Sequence, residues 1–289
     1  MKFTSIPLAA ALVSLFPLAS HAELTKDYPE IVALFSKVSV DGRMANAGKC
    51  TGTFITPKLL LTAAHCVREF NSLEMNGTVT RATDGSGNEV PDLTAGAKDV
   101  YILQKKWWGT TKINPVNVYV SDEAIPVDGT SLNLQYVKQD LAILEFAADW
   151  PSTREVADQS PDAGEAVFSV GFGIHGSGPF GGAGFGNVIP NKSWGRNTIS
   201  MADMDMLTTN GAPQTCDDPG PYTNDWAICP GDSGGPLIDT ASGKVIGVAS
   251  ASGTVKWDER GERHLSIFTD ITRDDAVQFI RGVMSQAAH

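Results

Sequence analysis

The run Cys229-Pro230-Gly231-Asp232-Ser233-Gly234-Gly235-Pro236 constrains this chain more than any other stretch. Glycines on both sides of a serine let the backbone turn tightly and approach a ligand closely. Such a turn presents a hydroxyl outward while its own N–H groups point at the atom being attacked. A serine hydroxyl is a poor nucleophile near neutral pH, so this use requires a base and a group to orient that base. Two other segments carry residues of those types: Leu61-Thr62-Ala63-Ala64-His65-Cys66 and Gln139-Asp140-Leu141-Ala142-Ile143-Leu144.

The N-terminus is read before the fold. Met1-Lys2 is a short positive start, Ile6 to Leu18 is mostly apolar, and Ser20-His21-Ala22 places small residues where a signal peptidase cuts. The apolar run is shorter than the roughly 20 residues needed to span a bilayer. A leader of residues 1–22 and an exported chain, secreted or periplasmic, are therefore expected. Removing it leaves 267 residues with 21 basic and 33 acidic side chains, a net charge of −12. That acidity argues against nucleic acid or an anionic membrane as the main partner. All four cysteines, Cys50, Cys66, Cys216 and Cys229, lie beyond the leader, which favours two disulfides over free thiols. Of the three connectivities open to them, sequential pairing is the simplest.

The three segments, in the chain order His, Asp, Ser, resemble the chymotrypsin/trypsin-like serine protease family. The resemblance extends from about Tyr28 to the chain end, although only those three segments are specific. It implies an all-β protein of two packed six-stranded antiparallel β-barrels, residues 23–150 and 151–289, with a C-terminal helix; together they make one peptidase domain. His65 and Asp140 would come from the first half and Ser233 from the second. The family's histidine-loop bridge matches Cys50–Cys66.

Along the chain, Tyr28 to Leu34 reads as the first strand, Thr51–Ile55 and Leu59–Thr62 as two more around a Thr-Pro-Lys turn, and residues 68–98 as loops. The separation of His65 and Asp140, 75 residues, is long for the family, and the surplus is expected in surface loops. Trp107 and Trp108, between the strand-like Val100–Leu103 and Val116–Val120, are expected to pack. Ala147 to Ala163 reads as a linker, and Val170-Gly171-Phe172-Gly173 looks like the family's Gly-aromatic-Gly strand. Gly176 to Gly186 reads as a flexible loop. Arg196–Met201, Val245–Ala251 and Ser266–Ile271 read as strands. Thr272 to Ala288 reads as a helix, with Val277, Ile280 and Met284 as its apolar face.

The resemblance assigns Ser233 as nucleophile, His65 as general base and Asp140 as the group that orients it, with the backbone N–H groups of Gly231 and Ser233 as oxyanion hole. Ala227, six residues before Ser233, falls at the floor of the substrate pocket, where trypsin-like members carry an aspartate. Alanine there implies uncharged side chains, small to medium or aromatic; Asp225 lies two positions away. Ser250, Ser252 and Ser266 are expected to line the pocket. In zymogen-activated relatives the aspartate equivalent to Asp232 pairs with a new N-terminus after an Ile-Val-Gly-Gly-like cleavage site. No such site is present, so Asp232 is expected to pair with another basic or donor group.

Four other readings are weaker. A zinc site from Cys50, His65 and Cys66 lacks the paired close spacings of structural zinc. Gly231 to Gly235 also fits a nucleophile elbow, but its acid (Asp239, Asp258 or Glu262) and His264 would crowd into a short tail without alternating βα units. The chief alternative is a secreted non-catalytic protease homologue that binds a partner through the same cleft, and an esterase acting through the same residues ranks after it. The residues favour a serine endopeptidase acting on protein or peptide, a monomer that calls for no metal and no organic cofactor.

Overall fold

The computed structural model describes residues 23–40, 43–75, 78–83, 85–90, 92–107, 109–129, 134–173, 192–203, 206–211, 227–258 and 261–287. Two large antiparallel sheets account for most of them. The first runs Gly109–Ile113, Val100–Lys106, Ile31–Val40, Arg43–Phe54, Leu59–Thr62, Ala142–Glu145 and Asn117–Val120. Two of its interior strands carry unbroken apolar runs instead of alternating ones. Leu59, Leu60 and Leu61 face Glu145, Leu144 and Ile143, and all but Glu145 are buried. Unbroken runs of this kind mark strands covered on both faces.

The second sheet runs Glu23–Thr25, Lys192–Asp203, Ala166–Gly171, Pro236–Asp239, Val245–Asp258, Gly261–Asp270 and Met206–Gly211. Its last strand pairs back with Lys192–Asp203, so six strands close into a barrel and Glu23–Thr25 is left on its outside. Val167, Ile199, Leu207, Leu237, Ile246 and Phe268 fill part of its interior. The closing helix, Asp274–Gln286, has two aspartates in its first turn, where they oppose the positive end of the helix dipole. Its buried residues Ala276, Ile280 and Val283 join the core of the first sheet, together with Val245 and Val248 of the barrel. One apolar cluster therefore spans both halves.

The all-β, two-part architecture with a C-terminal helix is present. The first half, however, is an open sheet where a second six-stranded barrel was expected. Its edge strand Gly109–Ile113 is exposed at every residue except Ile113, so it has no apolar face with which to close. Residues 68–98 are more than loops: Ser72–Met75 and Thr78–Arg81 form a hairpin that joins Ile125–Gly129 and Leu134–Lys138 in a four-stranded sheet. The strand expected from Tyr28 starts at Ile31, because Tyr28 adopts φ 59° and its carbonyl accepts from Ile31 N. Trp107, expected to be a packing residue, is 92% exposed, and Trp108 lies outside the described residues. The helix is rotated by about one position, with Ala276 and Val283 buried and Met284 exposed. Gly176 to Gly186 also lies outside the described residues.

The segment between the halves is tied down. Arg154 directs Nε (2.8 Å) and Nη2 (2.7 Å) at Glu30 Oε1, and Nη1 at Gly243 O (2.7 Å). Ser152 Oγ donates to the other Glu30 oxygen at 3.1 Å. Glu30 is buried, so removing its cation leaves a charge in a poorly hydrated place. Arg154→Met is expected to cost about 3–5 kcal/mol of unfolding free energy; denaturant titration checks this.

Candidate active site

His65 is delivered by the end of Leu59–Thr62, through a single 3-10 turn, Ala64–Cys66. Both flanking residues are buried, and Cys66 is bonded to Cys50, so the histidine backbone is pinned on either side. Asp140 follows Gln139, whose φ of 42° turns the chain sharply into Ala142–Glu145. Its carboxylate, fully buried, accepts from His65 twice: Oδ1 from the backbone N at 2.9 Å and Oδ2 from ring Nδ1 at 2.6 Å. Ser250 Oγ donates to the same Oδ2 at 2.6 Å. Burial works to lower the proton affinity of His65, but the Asp140 charge and hydrogen bond outweigh it and the net shift is upward. Because Oδ2 can only accept from Nδ1, that nitrogen holds the proton and Nε2 is left as the basic atom.

Ser233 sits in a turn whose carbonyls are directed at Thr51. Thr51 Oγ1 donates to Gly231 O at 2.8 Å, and Thr51 N donates to Ser233 O at 2.7 Å. Asp232 N bonds Cys229 O, and Gly235 N bonds Asp232 O, which closes the turn on itself. Gly231 takes φ 103°, a region that side chains disfavour. The disulfide links this turn to the histidine, with Cys66 Sγ 3.6 Å from Ser233 O and 4.0 Å from His65 Nε2. His65, Asp140 and Ser250 are hydrogen-bonded to one another, and the Ser233 turn lies against Cys66 beside them.

Asp232 points inward. It is 1% exposed, and its oxygens accept from Gly173 N at 2.7 Å and Cys229 N at 3.0 Å. A Cβ on Gly173 would overlap this carboxylate. The donor groups expected for Asp232 therefore include backbone from the Gly-aromatic-Gly segment.

A family model described as "Trypsin-like peptidase domain" matches residues 50–248, more than half of the chain. The chain belongs to the trypsin-like peptidase family. Solved structures agree on the fold. Mouse neuropsin, "a serine protease expressed in the limbic system of mouse brain", superposes with TM-score 0.53 at 15% identity, covering 92% of this chain and 98% of its own. Human heparin binding protein gives TM-score 0.53 at 17% identity, covering 91% and 95%. No curated protein matches the sequence significantly.

In this member of the trypsin-like peptidase family the expected pocket residues fall into two groups. Ala227 is half-buried beside Ile228, whose N donates to Ser266 Oγ at 3.0 Å, and Ser252 pairs with Ser266 across adjacent strands. Ser250 stands apart from them, its hydroxyl donating to Asp140. Asp225 lies outside the described residues. Cys229 is disulfide-bonded; Cys216, its expected partner, lies outside as well. Cys50, His65 and Cys66 do gather their donor atoms within 4.8 Å, but the two sulfurs are joined to each other and offer no thiolate.

The sequence reading missed a concavity of about 180 Å³ beside His65, lined by Pro126, Tyr136, Val137, Ser250 and Ala251. Its apolar wall comes from the Ile125–Gly129/Leu134–Lys138 hairpin, in the stretch taken for surplus surface loop. His264, weighed in the sequence as the histidine of the elbow reading, is buried, and burial lowers its proton affinity against the opposing effect of the Ile228 backbone.

Proposed function

We propose that the chain is a secreted or periplasmic serine endopeptidase in which Ser233, His65 and Asp140 form the catalytic triad. The observation that carries this is the double acceptance of His65 by the buried Asp140, at 2.9 and 2.6 Å, which leaves Nε2 as the base. Ser233 Oγ attacks the scissile carbonyl carbon and passes its proton to Nε2. The C=O electron pair moves to oxygen, where the N–H groups of Gly231 and Ser233 receive it; their own carbonyls are taken up by Thr51 on the other side of the turn. Collapse of this intermediate breaks the C–N bond, and His65 gives the proton to the leaving amine. Water then repeats the sequence on the acyl-enzyme and releases Ser233.

Residues 23–150 and 151–289 act together as one peptidase domain, a monomer in this reading. Its substrate is a protein or peptide, with neither nucleic acid nor membrane as partner. Among the described residues no helix is long and apolar enough to cross a bilayer. The Cys50–Cys66 bridge suits an oxidising compartment. Ala227 offers no counter-charge for Lys or Arg, so uncharged side chains are preferred at the cleaved position. The apolar concavity by His65 would take a second apolar substrate residue.

A fluorophosphonate probe tests the reading. Ser233 is expected to become labelled in the purified protein, and Ser233→Ala to abolish labelling. Leu and Phe amide substrates should then be turned over in preference to Arg. Folded protein that does not label would remove the enzyme reading, and an Arg preference would remove the pocket assignment.

A further inference from the structure

The hairpin of Ile125–Gly129 and Leu134–Lys138 belongs to the first half of the chain, yet it reaches across to the barrel. Its base is fixed beside Asp140. Buried Ser121 Oγ donates to buried Gln139 Oε1, Ser121 N donates to Leu141 O at 3.0 Å, and Gln139 immediately precedes Asp140. One edge is held by the parallel pairing of Val127 with Glu74 in Ser72–Met75. The hairpin is therefore anchored at its neck and along one side.

Tyr136 of this hairpin meets the barrel twice. It lines the concavity beside His65 with Pro126, Val137, Ser250 and Ala251. It also packs, together with Ala251, against Met206, Leu265 and Ile267. Ile267 is the cross-strand partner of Ala251, and Leu265 is the partner of Gly253. Leu265 and Ile267 alternate with Phe268, which fills the barrel interior, so they stand on its outer face. A peptide laid along that face from Ser250 past Ala251 runs into the Tyr136 side chain. The space left before it is about 180 Å³. An apolar void of about 150 Å³ takes up a single benzene molecule. The concavity thus has room for one substrate side chain and not for a run of them.

We propose that Tyr136 is a specificity-determining residue that ends the substrate cleft. On the side of the concavity the cleft holds the residue whose carbonyl is attacked and one neighbour; residues beyond that neighbour are turned away from the protein. This rests on the serine endopeptidase reading and narrows its substrates to bonds near a chain end or in mobile loops, where the peptide can bend away at once. A segment held extended on both sides of the bond is excluded.

The test uses peptides with one common cleaved bond, lengthened a residue at a time on each side. Their kcat/KM is measured with the full chain, Tyr136→Ala and Tyr136→Phe. In the parent protein kcat/KM should stop rising on one side once two residues are present there. Tyr136→Ala should restore length dependence on that side, raising the ratio of long to two-residue peptides by about tenfold, the scale of one added apolar contact. Tyr136→Phe keeps the ring and should behave as the parent. A parental kcat/KM that keeps rising with length on both sides overturns the proposal, as does a Tyr136→Ala variant with the parental length profile. Should Tyr136→Ala not fold, Tyr136→Val removes the ring, keeps an apolar contact and carries the same comparison.

A parent protein that neither labels with fluorophosphonate nor turns over removes the endopeptidase reading alone. The same peptides, made fluorescent, then report on the cleft through anisotropy. Affinity that levels off at two residues in the parent and climbs further in Tyr136→Ala supports the role of Tyr136. Affinity that climbs throughout in the parent, or no binding at any length, overturns it.

Discussion

His65→Ala is expected to lower kcat by about 10⁶, the scale on which a serine peptidase depends on its base. Without Nε2 the Ser233 hydroxyl has no acceptor for its proton, and the leaving amine has no donor. The fold should survive. The ring is 29% exposed, whereas the buried residues of the turn are Ala64 and Cys66, and the bridge to Cys50 does not involve the ring. Asp140 would keep two of its three donors, the backbone N–H of residue 65 and Ser250 Oγ. One hydrogen bond to a charged group is lost, at about 1.5–3 kcal/mol. Steady-state kinetics beside a thermal melt checks both parts. In the proposed mechanism the same histidine sets the acid limb of activity in the parent protein. The neutral base is the working form and Asp140 raises its proton affinity, so kcat/KM should rise with pH about a midpoint above the ordinary 6.5. A variant that keeps parental kcat would remove His65 from the mechanism.

The parts of this arrangement that were legible in the sequence are those whose information is local. Gly231 and Gly234 around Ser233 announce a turn, because positive φ favours glycine, and both residues adopt it. Leu59-Leu60-Leu61 and Leu141-Ala142-Ile143-Leu144 announce interior strands through unbroken apolarity, and the histidine and aspartate lie at their ends. What escaped depends on contacts between distant segments. Nothing near Ser250 says that its hydroxyl will be spent on Asp140. The Ile125–Lys138 hairpin escaped for another reason: it stands out only when its partner strand Ser72–Met75 is recognised, and that strand is short and flanked by polar residues. The helix face was misjudged by one position because Val277 and Met284 satisfy the same spacing as Ala276 and Val283. Helical periodicity locates a stripe, while the packing surface beneath decides its centre.

Asp140→Asn should separate orientation of the base from its presence, with kcat lower by about 10⁴ and little change in KM. The reason lies in which atoms can face the two His65 donors. Oδ1 accepts from a backbone N–H, which cannot become an acceptor, so the amide oxygen of asparagine is held on that side. The NH₂ group is then forced to face Nδ1, where Oδ2 stood at 2.6 Å. Two donors cannot share that contact, so the ring adopts the tautomer with its proton on Nε2. The atom that should take the Ser233 proton is then already protonated. Ser250 Oγ, which donates to the same oxygen in the parent protein, must also turn to accept from the new NH₂. The substitution keeps the shape of a fully buried side chain and removes a buried charge, so the fold should hold and substrate should still bind. Nearly parental kcat in a folded Asp140→Asn variant would mean that the imidazole is oriented without this carboxylate. A loss as deep as that of His65→Ala would mean instead that the ring has left its place, which the KM and a crystal structure of the variant would distinguish.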